Sequence, residues 1–214
     1  MNARKGRPPR DAAIVERQRA AILTAAERLF AQRGYEGVSM RNVALEAGSS
    51  AAALYRLFPH KRALLRTIWE DALASLDVSL EQAASGEADP VRRLRALGAA
   101  YAAFWVANPD HFRAMFLIED RVADPGERYF AHTSPGLARL VGLFLGAAQA
   151  AVEAGAMTAT PDQAVELIFC ALHGVTAGVI GMPEHDWGPA EALAGRMMDT
   201  LLSGLLHGGP AMRI

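Results

Sequence analysis

The segment AGSSAAALYRLFPHKRALL, residues 47–65, decides the fold of the chain. Gly48 can supply the positive φ angle of a sharp turn, and Ser50 can cap the helix that follows. The residues after Ser50 favour a short helix over residues 51–58, and Pro59 ends it. The segment therefore predicts a turn, a short helix and the beginning of another helix.

The residues before this segment predict the helices on which the short helix packs. Apolar residues at helical spacing indicate a helix over residues 11–32, and Gly34 ends it. Ser39 can cap a second helix over residues 40–46. Two short helices joined by a turn on Gly48 form a helix-turn-helix, whose second helix enters the major groove of DNA. We expect the pair to be buried against the first helix through Leu29, Phe30, Val43, Leu54 and Phe58.

The rest of the chain also reads as helical, with Pro and Gly at the boundaries. No segment alternates with the period of two that a half-buried strand requires. We predict an all-α chain of about nine helices, with three domains at residues 1–10, 11–62 and 63–214. These are a flexible basic arm, the helix-turn-helix domain, and a helical bundle for effector binding and dimerisation. The predicted later helices cover residues 60–84, 91–106, 109–122, 135–154, 161–182 and 188–207.

Charge is distributed unevenly along the chain. Residues 1–62 contain 12 Arg and Lys against 5 Asp and Glu, a net charge of +7, whereas the remainder carries −8. A basic N-terminal part attracts a polyanion, and an acidic body is repelled by one. The distribution therefore favours a nucleic acid as the partner of the N-terminal part alone.

The run ILTAAERLFAQRGYEGVSMRNVALEAGSSAAALYRLFPHKRALL, residues 22–65, resembles the TetR family of bacterial transcriptional regulators. The resemblance covers about 45 of 214 residues without a gap. It implies a dimer that binds a pseudo-palindromic double-stranded DNA operator, most often as a repressor, and is released by a small-molecule effector. An effector-independent DNA-binding protein and an activator remain alternatives.

The resemblance also implies which side chains contact DNA. Ser39, Tyr55 and Lys61 correspond to the family's phosphate contacts, and Arg41 is a cation nearby. The family usually has a hydroxyl residue where Ala53 stands, so one phosphate contact is absent here. Polar base reading then falls to three residues, and two alanine methyl groups can contact the C5-methyl of thymine. These residues are Ser49, Ser50 and Arg56, and Ala51 and Ala52.

The N-terminal arm offers a further DNA contact. Gly6-Arg7-Pro8 resembles the core of an AT-hook, in which an arginine enters a narrow A·T-rich minor groove. A basic tail that only adds non-specific attraction is an equal alternative for Arg7.

The acidic body contains the expected dimer and effector sites. Apolar stripes and small residues in the last two predicted helices favour a homodimer interface, although such stripes also occur in an ordinary intramolecular core. His173-Gly174 and the aromatic residues near Trp105 resemble the C-terminal subtype named for a Trp and a His-Gly pair, without its Trp near Cys170. We expect a mostly apolar effector between helices. The candidate residues are Tyr101, Trp105, Met115, Phe116, His173 and Met182.

Other classes of protein find little support in the sequence. The six histidines are scattered, and no metal-binding or phosphate-loop motif is present, so we expect no enzyme, no metal and no cofactor. A single cysteine, Cys170, is typical of a reducing cytoplasm. Glu166 and His173 interrupt the longest apolar run, which favours a buried helix over a membrane span.

Overall fold

The computed structural model describes residues 10–116 and 134–206. Within these residues the chain forms nine α-helices and no strands, as the sequence predicts. The end of the predicted helix over 109–122 lies outside the described residues. The helices are α1 (Arg10–Arg33), α2 (Met40–Glu46), α3 (Ala51–Leu57), α4 (Lys61–Ala84), α5 (Pro90–Ala107), α6 (Pro109–Phe116), α7 (Pro135–Glu153), α8 (Pro161–Gly181) and α9 (Ala190–Leu206).

The described residues pack as two compact units. The first contains residues 10–69 and 110–116, and the second contains residues 70–109 and 134–206. The units therefore divide within α4, between residues 69 and 70. The domain ranges expected from the sequence remain a prediction.

The first unit has a core contributed by every one of its helices. The five residues expected to bury the helix pair against α1 are all buried. Helices α2 and α3 are amphipathic, and their apolar sides face this core. The indole Nε1 of Trp69 donates a hydrogen bond to the carbonyl of Ala114 at 2.9 Å, which attaches α6. His111 Nδ1 lies 2.7 Å from the Glu27 carboxylate and links α6 to α1. The buried residues include Leu29, Phe30, Val43, Leu54 and Phe58.

The N-terminal half of α1 is not part of that core. No residue from 12 to 21 is buried, and Ile14 is 51% exposed. Ile14 nevertheless belongs to the apolar positions that recur at helical spacing along residues 11–32. Periodicity identifies the apolar side of a helix, but it does not show whether another element covers that side.

The second unit is a bundle in which α5 packs against α7, α8 and α9. Gly98 permits the close approach of α5 and α9, since a Cβ there would lie 2.8 Å from Cγ and Sδ of Met198. Asp89, Ser134 and Thr160 cap α5, α7 and α8, because their side chains accept hydrogen bonds from backbone N–H groups of the first turn.

The predicted apolar stripes of the last two helices divide between core and surface. Ala164, Ile168, Leu172 and Val175 of α8 are buried within the unit, whereas Leu167 is 45% exposed. In α9, Leu202 and Leu205 are buried and Met197 is 38% exposed. Much of each stripe therefore belongs to the intramolecular core.

Helices α7 and α8 are long and apolar enough to cross a membrane by length and composition alone. Such a test is also passed by the core helices of soluble proteins, and about a third or more of each apolar stretch is buried inside the protein. Two such helices are therefore weak evidence for a membrane span.

Candidate functional site

The turn between α2 and α3 has the geometry that its sequence predicts. Ser39 caps α2 by accepting a hydrogen bond from the Asn42 amide at 3.2 Å. Gly48 has φ +59°, the left-handed conformation. Ser50 Oγ accepts from the Ala53 amide at 3.2 Å and caps α3. Local signals in the chain therefore place the start of α3.

Helix α3 has one buried side and one open side. Ala53 and Leu54 are buried, 8% and 0% exposed, and they fix the helix on the core of the first unit. Ala51, Ala52 and Arg56 are exposed, and Tyr55 is 53% exposed. The third alanine of the run, Ala53, therefore faces the core, and the absence of a phosphate contact at this position remains a prediction. The open side of α3 consists of Ala51, Ala52, Tyr55 and Arg56.

Two candidates for DNA contact already have partners in the protein. Gln18 Nε2 in α1 donates a hydrogen bond to Ser49 Oγ at 3.1 Å, and Ser49 is half-buried. Lys61 Nζ donates to the carbonyl of Tyr35 at 2.6 Å and to that of Val38 at 3.0 Å. These partners lie 31, 26 and 23 positions away, and the motif gave no signal for them.

The other DNA candidates lie on the surface of the first unit. Ser39, Arg41 and Ser50 are exposed. The Ser39 hydroxyl donates to the Asn42 side-chain oxygen, in addition to its capping bond. Arg7 lies outside the described residues.

Three of the six effector candidates come together in the second unit. The Tyr101 hydroxyl lies 3.3 Å from His173 Nδ1, at hydrogen-bonding distance. The rings of Tyr101 and Trp105 are 6.1 Å apart and meet edge to face. Phe169 adds a ring 5.5 Å from that of Tyr101, and Phe144 lies 6.4 Å from Phe169. We call Tyr101, Trp105, Phe144, Phe169 and His173 the aromatic cluster.

Burial sets the electrostatics of the aromatic cluster. It raises the pKa of the Tyr101 phenol and lowers the pKa of the His173 imidazole. Each shift favours the uncharged form of its group. The cluster therefore presents a neutral polar pair within an apolar surround.

The other three candidates are Met115, Phe116 and Met182. Met115 and Phe116 belong to the first unit, where the Phe116 ring lies 5.0 Å from that of Phe112. Met182 follows α8, is 45% exposed, and accepts a hydrogen bond from Trp187 Nε1 through its carbonyl. Sequence reasoning missed Phe144 and Phe169. Phe169 and His173 are four positions apart on α8, a spacing that places both side chains on one side of the helix.

A cleft of about 320 Å³ lies elsewhere on the second unit, between the beginning of α5 and the end of α9. Arg95 donates to Asp199 through Nε at 2.6 Å and through its terminal nitrogen at 2.9 Å. This pairing raises the pKa of Arg95 and lowers that of Asp199. The two residues are 104 positions apart, and their pairing has no sequence signature. The lining residues are Val91, Arg92, Arg95, Asp199, Leu202, Ser203 and Leu206.

Within residues 10–116 and 134–206, no three His, Cys, Asp or Glu residues are grouped so as to hold an ion.

The fold and the open side of α3 define a helix-turn-helix protein. Residues 22–68 match the family described as bacterial regulatory proteins, tetR family. Residues 94–201 match the tetracyclin repressor-like C-terminal domain. The chain therefore belongs to the tetR family of bacterial regulatory proteins.

Relatives of known name agree with this assignment. The HTH-type transcriptional activator FasR of Mycolicibacterium smegmatis is 32% identical over 124 residues, which are 58% of this chain and 54% of FasR. The HTH-type transcriptional regulator HbdR of an Aromatoleum species is 30% identical over 84 residues, 39% of this chain and 37% of HbdR. The chain thus matches about half of the first relative and little more than a third of the second.

Solved structures show the same fold. The TetR family regulator PfmR of Thermus thermophilus has a TM-score of 0.68 and 28% identity, and the match covers 87% of this chain and 96% of PfmR.

Proposed function

We propose that the chain is a ligand-responsive transcriptional repressor that binds a pseudo-palindromic DNA operator as a homodimer. A small, mostly apolar effector releases it. The open side of α3 is the observation that carries this proposal. It presents Tyr55, Arg56 and two alanine methyl groups to solvent on a helix anchored by the fully buried Leu54.

Base recognition is assigned to the residues at the N-terminal end of α3 and to Arg56. The methyl groups of Ala51 and Ala52 are short enough to let the helix enter the major groove deeply and to contact thymine methyl groups. Ser50 uses its hydroxyl oxygen as an acceptor in the cap, which leaves the O–H able to donate to a base edge. Ser49 is a weaker candidate, because its hydroxyl accepts a hydrogen bond from Gln18 and also donates to the Ser50 carbonyl at 3.4 Å.

Phosphate contacts are assigned to side chains around α3. Arg41 and Ser39 are exposed at the beginning of α2, and Tyr55 is exposed on α3. Such contacts fix the register of the protein on DNA without reading sequence. Arg7 of the N-terminal arm is assigned to an adjacent minor groove.

Selection of bound duplexes from a random pool, followed by fluorescence anisotropy, tests the DNA site. Arg56→Ala is expected to relax preference at particular base pairs, and Arg41→Ala to weaken all sequences alike. Arg93→Ala removes the same charge from an exposed position of α5 and is expected to change neither. Equal losses for Arg56→Ala and Arg93→Ala, or no binding by the wild-type protein at low salt, would refute the assignment.

Dimerisation is assigned to the exposed sides of α8 and α9. Leu167 and Met197 are large apolar residues open to solvent, and Gly174 is an exposed position in α8 where a Cβ would meet nothing within 4 Å. Small and apolar residues allow helices of two copies to approach closely, and a two-fold axis gives two recognition helices about one DNA turn, ~34–36 Å, apart. Leu167→Arg is expected to yield monomers in sedimentation experiments, whereas Val78→Arg on α4 is not.

The effector site is assigned to the aromatic cluster. A neutral, mostly apolar or aromatic molecule with one hydrogen-bonding group fits the neutral Tyr101–His173 pair and the surrounding rings. The assignment of the body to the subtype named for Trp and His-Gly also rests on His173-Gly174. A thermal-shift screen of apolar compounds tests the site, because a ligand that binds the folded state raises the melting temperature. Tyr101→Phe is expected to abolish the shift for a ligand that the wild-type protein binds.

Activation is a second candidate outcome, favoured by one observation: the relative FasR is named an activator. A reporter gene controlled by the selected operator decides between activation and repression. A rise in expression with this protein present indicates activation, and a fall indicates repression. In either case we propose that the protein acts in the cytoplasm.

A further inference from the structure

We propose that Lys61 is a positioning residue for DNA binding, which ties the first turn of α4 to the turn between α1 and α2. This inference rests on the proposed function and changes the role that the family resemblance implies for this lysine, a direct phosphate contact. Its ammonium group donates hydrogen bonds to the carbonyl oxygens of Tyr35 and Val38. We call these two bonds the Lys61 tie.

Three groups contact the ammonium group of Lys61. Its Nζ donates to the Tyr35 carbonyl at 2.6 Å and to the Val38 carbonyl at 3.0 Å. It also lies 3.9 Å from the centroid of the Tyr35 ring, a cation–π distance. An ammonium has three N–H donors, and two of them are used here.

The tie acts on the segment that leads into the helix-turn-helix. Gly34 ends α1 with φ +67°, so the carbonyl groups that follow lie outside any helix. The Tyr35 carbonyl accepts one long hydrogen bond from the Val38 amide at 3.4 Å, and Lys61 supplies a shorter one. Val38 directly precedes Ser39, the N-cap of α2. Holding the Val38 carbonyl therefore holds the start of α2, on which the turn to α3 depends.

The partners of Lys61 are themselves fixed. The Tyr35 ring stacks on Phe30 with centroids 6.0 Å apart, and Phe30 is fully buried. Val38 is 3% exposed. The lysine therefore connects α4 to a rigid part of the core and not to a loose surface loop. A direct phosphate contact by the same group would have to use its third N–H or give up one of these bonds.

The salt dependence of DNA binding distinguishes positioning from phosphate contact. Each phosphate contact that is lost makes the plot of log affinity against log salt shallower by about 0.9. Lys61→Met removes the ammonium and keeps most of the apolar stem. We expect it to lower operator affinity several-fold with the slope of the wild-type protein. Arg41→Met, at a proposed phosphate contact, is expected to make the slope shallower, and Arg93→Met in α5 to change neither quantity.

The stability of the DNA-free protein supplies an independent readout. Lys61→Met is expected to lower the melting temperature by about 3 °C or more, because the Val38 carbonyl loses the Lys61 donor and the Tyr35 carbonyl keeps only the longer bond from the Val38 amide. Tyr35→Leu removes the ring from the same site. The double variant is expected to lose less than the sum of the two single losses, since both act on one tie.

The salt slope and the melting temperature together distinguish a positioning role from a phosphate contact. An unchanged slope together with a lower melting temperature supports the positioning role. A shallower slope for Lys61→Met overturns it, as does a melting temperature equal to that of the wild-type protein. If Lys61→Met does not fold, Lys61→Gln replaces it, because its amide N–H groups can donate to these carbonyls without a charge. A shallower salt slope in that neutral variant overturns the proposal, and the slope of the wild-type protein supports it. If the wild-type protein binds no duplex, the proposed function fails. The melting temperature of Lys61→Met then shows by itself whether Lys61 stabilises this part of the core.

Discussion

Gly48→Ala is the sharpest test of how the recognition helix is placed. Gly48 has φ +59°, and its neighbours complete a turn in which the Gly48 amide donates to the Leu45 carbonyl at 3.1 Å and the Ser49 amide to the Ala44 carbonyl at 2.8 Å. This is the hydrogen-bond pattern of a Schellman motif with Gly48 as the left-handed residue. The residue after Ser49 caps α3, so the conformation of Gly48 sets where that helix begins.

The magnitude follows from the surroundings of Gly48. A Cβ at this position would meet nothing within 4 Å, so the substitution introduces no clash. The cost is therefore that of the left-handed backbone alone, about 1–2 kcal/mol for a residue with a Cβ. Asn visits this region more readily than Ala, so Gly48→Asn is expected to lose less.

Urea unfolding followed by circular dichroism measures the effect, with Gly142→Ala as the matched control. Gly142 is an exposed residue inside α7 where a Cβ also meets nothing within 4 Å, and its φ is not positive. Alanine there is expected to stabilise by about 0.5–1 kcal/mol. The reasoning is refuted if Gly48→Ala is as stable as the wild-type protein, or if the Ala and Asn variants at position 48 lose equally.

The remaining predictions concern the second unit. Gly98→Ala is expected to destabilise by about 1–3 kcal/mol through the contact with Met198, with partial rescue by Met198→Ala in the same unfolding assay; no rescue would contradict the close approach. Burial lowers the pKa of His173, so the unfolded chain binds its proton more readily, and stability falls as the pH drops below about 6.5 until the folded pKa is passed. His173→Gln should flatten the melting temperature in that pH range, and an unchanged profile would sink this assignment. Asp199→Asn breaks a pair with Arg95 in which both side chains are more than half exposed, so we expect little change in melting temperature at physiological salt; a large fall would mean that the pair is structurally important.

Much of the helix-turn-helix was predictable, because its signals act over a few residues. Ser39 and Ser50 accept hydrogen bonds from backbone amides three positions further on. Gly48 supplies the left-handed backbone of the turn between them. The predicted bounds of α2 agree with the structure, and those of α3 differ by one residue. The candidate effector site was only half predictable. Aromatic composition indicated Tyr101 and Trp105, and the His-Gly pair indicated His173. The rings of Phe144 and Phe169 across the bundle were not visible in the pattern of one helix.

The sequence by itself determined the helices, their caps, the helix-turn-helix and the segregation of charge, since each follows from local conformational preference or from composition. The tertiary structure alone decided which polar groups meet. It bonded Lys61 to carbonyl groups 23 and 26 positions away, and brought the Tyr101 hydroxyl to His173 across 72 positions. It also turned Ala53 into the core. The physical reason is that a helical period shows which residues share a side, whereas the partner of that side depends on how several helices fill one core at close packing.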